Sequence, residues 1–160
     1  MAHSFAWHDG MLLGHGPMDA VHEEFVVLVD ALLHAADADV PAALASLVGH
    51  TQAHFDEEKA WMTETAFPGR ECHIAEHKAV LQSLAGVSRR VDAGDLIAAR
   101  RLARALADWF PGHAEYLDAA LAHWLCKLRL GGKPVVLRRH RPLPGAPIAA
   151  ATAAPTPSIG

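Results

Sequence analysis

Histidines and carboxylates recur along this chain at spacings that suit a helix: His22, His54 with Glu58, His73 with His77, and His113 with Asp118. Residues four apart project from one helix face, so His54/Glu58 and His73/His77 can each grip a common object from a single side. Imidazole and carboxylate without thiolate form the donor set of iron, manganese or zinc rather than of copper(I) or an iron–sulfur cluster. Seven such side chains exceed what one ion takes beside an exogenous group, so the set predicts two ions, with the two carboxylates able to bridge them.

The elements that position these residues read as helices. Apolar and ligand-type residues recur at three and four along most of the chain, and the alternation of a half-buried strand is nearly absent, which predicts an all-α fold. A first helix over about 17–36, with Pro17 in its opening turn, places Met18, His22, Phe25, Val29 and Leu32 on one stripe. A second begins near Asp39 and Pro41, carries Leu44, Leu47, Thr51, His54, Phe55, Glu58 and Met62 inward, and stops before Phe67-Pro68-Gly69. A third over about 70–92 sets His73 and His77 ahead of Val80, Leu81, Leu84, Val87 and Val91, and Gly94 ends it. Asp95 can cap a fourth that runs to about 130, with Leu102, Leu106, Trp109, His113, Leu117 and Trp124 on its stripe.

Four long helices with short connections predict an antiparallel up-down-up-down four-helix bundle. In that topology His22 and His73 lie near the starts of their helices, while His54/Glu58 and His113/Asp118 lie past the midpoints of theirs. Alternating directions bring all seven to one end of the bundle. A buried imidazole or carboxylate on an apolar stripe costs several kcal/mol unless it is hydrogen-bonded or bound to a metal, and here all four inner faces carry one.

The remaining composition narrows the function classes. The 160 residues are about one domain's worth, expected as a bundle over 1–130 and a disordered tail over 131–160, rich in Pro, Ala and Gly around the basic cluster Arg138, Arg139, His140 and Arg141. Cys72 and Cys126 are too few for a disulfide framework, and the opening MAHSFAWHDG lacks a basic stretch leading into an apolar one. The run FVVLVDALLHAA is too short, and too interrupted by Asp30 and His34, to span a bilayer. These features predict a cytoplasmic protein without membrane insertion. A net charge of -4 gives no footprint for nucleic acid, and no protein partner can be read from the sequence.

The motifs His54-Phe55-Asp56-Glu57-Glu58, His73-xxx-His77 and Trp109-xxx-His113-xxxx-Asp118, preceded by Asp19-xx-His22, resemble those of the bacterial hemerythrins over roughly residues 5 to 130. The resemblance implies that His73, His77 and His113 hold one iron and His22 and His54 the other. Glu58 and Asp118 would bridge the two (Fe2+/Fe3+) beside an oxo or hydroxo group. Two six-coordinate irons offer about twelve positions; these ligands leave about one open, on the iron with two histidines. The implied function is reversible dioxygen binding by two-electron transfer, for delivery, storage or sensing, without enzymatic turnover. A di-iron enzyme acting on peroxide or nitric oxide, and iron storage or detoxification, are the alternatives. Ferritin-like enzymes use paired Glu-x-x-His motifs, which this sequence lacks.

Several expectations are specific to this chain. His113 and Asp118 are five apart, about 140 degrees round an ideal helix, and Pro111 cannot donate to the carbonyl of Ala107, so a kink or widened turn is expected between Ala107 and Leu117. Phe25, Phe55, Trp109 and Phe110 are candidate walls of a dry pocket. Phe110 stands where the family often has a smaller aliphatic residue, so altered ligand access is expected. His50, one turn before His54, reads first as a solvated or core-capping histidine and second as a supporting partner of the ligands.

Overall fold

A computed structural model describes residues 4–131; the expected tail, with its basic cluster, lies almost wholly outside them. Four helical rods form the predicted bundle: α1 (Gly16–His34), α2 (Val40–Glu64), α3 (Arg70–Asp92), and a fourth built from α4 (Leu96–His113), a π-helical turn (Ala114–Asp118) and α5 (Ala119–Arg129). Each rod packs on the two beside it, closing a ring of α1 on α2, α2 on α3, α3 on α4 and α4 on α1. Among the described residues there is no strand, and no helix is long and apolar enough to cross a membrane. Both cysteines are free thiols.

Local chemistry explains where the helices begin and end. His15 caps α1, its Nδ1 accepting from the Met18 amide, and Pro17 fills the first turn, where no amide donor is required. Asp95 caps α4 by accepting from the Ala98 amide. Gly94, just before it, adopts φ +92, a left-handed conformation that ends α3 without a steric penalty. The helix continues past Pro111 to His113, and the expected widening follows at Ala114–Asp118. There the Ala119 amide bonds the Ala114 carbonyl, five residues back.

An N-terminal arm that the helical pattern does not reveal lies along the bundle. The Phe5 amide donates to the Asp30 carboxylate at 2.8 Å, and the Leu13 and Gly14 amides donate to Asp19 at 2.7 and 3.0 Å. Both anchors belong to α1. Phe5, Trp7 and Met11 pack against the bundle interior.

That interior has three layers. A large apolar cluster, including Phe25, Val29, Leu32, Leu44, Leu47, Leu84, Leu102 and Leu106, fills one end. A smaller one, Met18, Met62, Phe67, Leu121 and Ala122, closes the other. Between them every rod contributes buried polar side chains: His22 from α1, His54 and Glu58 from α2, His73 and His77 from α3, and His113 and Asp118 from the fourth.

Candidate metal centre

The seven residues singled out by spacing meet in this middle layer. All five imidazoles turn Nε2 inward, onto the carboxylates of Glu58 and Asp118. The widened turn makes this possible: adding one residue to the turn returns Asp118 to the face occupied by His113 despite their five-residue separation.

The two oxygens of each carboxylate divide the histidines between them. Glu58 Oε1 lies 2.9 Å from His54 and 3.5 Å from His22, while its Oε2 lies 3.3 Å from His73 and 3.5 Å from His77. Asp118 Oδ2 lies 3.2 Å from His22, while its Oδ1 lies 2.9 Å from His73 and 3.2 Å from His113. Ligand atoms of Glu58, His73, His77, His113 and Asp118 gather within 4.8 Å of one another, as do those of His22, His54 and Glu58. Two carboxylates thus span two nests, one with three imidazoles and one with two.

Few hydrogen bonds account for these contacts. His54 donates Nε2–H to Glu58, and Nε2 of His77 and His113 face each other at 3.0 Å, where one proton at most can sit. His22 Nε2, His73 Nε2, Glu58 Oε2 and both Asp118 oxygens are buried without a hydrogen-bond partner, as are the Nδ1 atoms of His22, His54 and His73. Each orphaned group costs about 1–3 kcal/mol. Lone pairs converging at contact distance in a dry layer are what cations satisfy, so the donor set fits a di-iron site.

The electrostatics agree. Burial pushes His22 and His73 down, but the Asp118 and Glu58 carboxylates that face them outweigh it and lift both to about 9. Burial and repulsion from Asp118 push the Glu58 carboxyl up, yet His22, His54 and His73 hold it well below the usual carboxylate range. Asp118, buried likewise, is held low by His113, His22 and His73. His77, faced by fewer oxygens, follows its burial down to about 3.

Aromatic rings line the layer. Phe110 meets the His22 ring edge-on at 5.1 Å and packs on Phe25 at 5.0 Å, so these two wall the two-histidine nest. Phe55 stacks flat on His77 at 3.6 Å, and Trp109 leans on His113 at 4.3 Å. His50 does not bond to the seven: its Nε2 donates to the Val21 carbonyl, tying α2 to α1. Sequence reasoning missed Glu76, which accepts from both His113 Nδ1 at 3.0 Å and Trp109 Nε1 at 2.8 Å. Its only signal is adjacency to His77. It also missed Phe5, which packs edge-on against Phe110 at 6.3 Å.

Comparisons with known proteins agree on one family. The family model described as Hemerythrin HHE cation binding domain matches residues 15–125. A Bacteriohemerythrin from Ralstonia nicotianae is 38% identical over 121 residues, covering 76% of this chain and 88% of the relative. No solved structure gives a significant match.

Proposed function

The chain belongs to the hemerythrin HHE cation-binding domain family, and from that premise we propose that it binds dioxygen reversibly at a non-haem di-iron centre, for delivery, storage or sensing. His73, His77 and His113 would hold one iron and His22 and His54 the other, with Glu58 and Asp118 spanning both beside an oxo or hydroxo bridge. When bound, the iron pair supplies two electrons and a vacant position for a small diatomic ligand.

The observation that carries the proposal is the division of the histidines by the carboxylate oxygens into sets of three and two. Equal sharing of the carboxylates leaves the His22/His54 side one protein donor short, so exogenous ligand belongs there. Phe25 and Phe110, 1% and 2% exposed, adjoin that side and exclude water. Dryness favours binding over turnover, because protons and reductant needed to carry the ligand onward must cross an apolar wall. The imidazole-rich donor set supports the same preference over a peroxide-consuming or nitric-oxide-consuming enzyme and over iron storage, whose bundles use more carboxylate.

Metal analysis with visible spectra taken under air and after deoxygenation tests this reading. Two irons per chain and an absorption band that appears with dioxygen and disappears on its removal are expected. Fewer than two irons, or a spectrum that does not reverse, overturns it.

A further inference from the structure

The five histidines are not held alike from behind. The outer Nδ1 atoms of His22, His54 and His73 are buried without a partner, whereas His113 Nδ1 meets a carboxylate oxygen of Glu76 at 3.0 Å. That oxygen can only accept, so the Nδ1 of His113 carries the proton and, in the neutral ring, Nε2 presents its lone pair to the layer. The same oxygen accepts from Trp109 Nε1 at 2.8 Å, and the Trp109 ring lies over His113 at 4.3 Å. Two donors on one oxygen fix a side chain that is otherwise 40% exposed on α3, and they join α3 to α4 immediately behind the three-histidine nest.

We propose that Glu76 is a positioning residue that selects the His113 tautomer and holds its Nε2 lone pair toward the layer, making the nest of His73, His77 and His113 the tighter of two metal sites and the first to fill. The inference rests on the two-metal reading above and extends it by ranking the sites. A charged acceptor behind an imidazole strengthens the metal bond in front of it, and losing such a partner typically weakens affinity about 10–100-fold. His22 and His54 have no such support, so the second ion is held more weakly.

Titrating the metal-free protein with cobalt(II), followed by calorimetry, separates the two steps. In the parent a tight step and a weaker one are expected. Glu76→Ala should weaken the tight step about 10–100-fold and leave the weaker one in place. Glu76→Gln, which keeps an acceptor without charge, should fall between. Glu71→Ala, an exposed acid lost from the same helix, should match the parent. An unchanged tight step in Glu76→Ala overturns the role of Glu76, whereas a parent that takes up fewer than two ions overturns the two-metal reading instead. Nitrogen-15 spectra of the metal-free parent give a second readout independent of any variant: the proton of His113 is expected on Nδ1, and a proton found on Nε2 refutes the assignment.

Discussion

Leu47 and Glu58 lie about three turns apart on the same face of α2, and both are fully buried. The Leu47 side chain belongs to the large apolar cluster, where burial itself is the driving force, at about 25 cal/mol per Å2 of surface removed from water. Around Glu58 the neighbours are imidazoles and a second carboxylate, several with no hydrogen-bond partner, so burial opposes folding. The bundle therefore divides its labour: the apolar end folds the chain, and the middle layer is carried by that stability until a cation reconciles its donors.

The sharpest test of this division is to damage each layer separately. Leu47→Ala is expected to lose about 2–5 kcal/mol whether or not metal is present, read by denaturant unfolding of both forms. Metal should act on the middle layer alone: at a hundredfold excess over its dissociation constant, a bound ion adds about 2.7 kcal/mol, and a chelator should remove that gain reversibly. A chain equally stable with and without metal would contradict the strain assigned to Glu58 and its neighbours. Replacing His54 and Glu58 together by leucine should abolish uptake of two ions, read by metal analysis, because it removes one histidine and a carboxylate that faces four imidazoles. Two ions still bound by the double variant would show that the pair does not belong to the site.

Acid–base behaviour sharpens the same contrast by a smaller amount. His22 and His73 have folded values near 9, above their ordinary 6.5, so their contribution is complete below 6.5 and is lost as pH rises through 9. Thermal melts of the metal-free chain should therefore fall across that window, and those of the loaded chain should not. The mildest change is Phe110→Leu, which trims the wall beside His22. Stopped-flow should show an altered dioxygen dissociation rate, and an identical rate would dismiss a role for the ring.

The sequence was most informative where geometry repeats. Four-residue spacings on α2 and α3 placed His54/Glu58 and His73/His77 on inner faces, and Pro17, Asp95 and Gly94 marked helix ends, because each signal is local and has one physical cause. The five-residue gap from His113 to Asp118 likewise announced a disturbance, although it occurs after Pro111 rather than at it; the pyrrolidine ring removes one bond without widening the turn. Glu76 was illegible because its role depends on two donors contributed by another helix, and a half-exposed glutamate beside a histidine reads as solvent-facing. Phe5 was illegible for the same reason: no periodicity links an arm to the helix that anchors it.

The wide turn at Ala114–Asp118 has a further consequence. It absorbs one residue, so the rod carries a phase shift that cancels the surplus spacing between His113 and Asp118. Deleting Tyr116, which is 74% exposed, would turn that pair into a four-residue step on a regular helix and leave Leu121 and Ala122 at their present angle to Asp118. Length and winding are interchangeable at this point, so a chain one residue shorter could present the same donors from an unbroken rod.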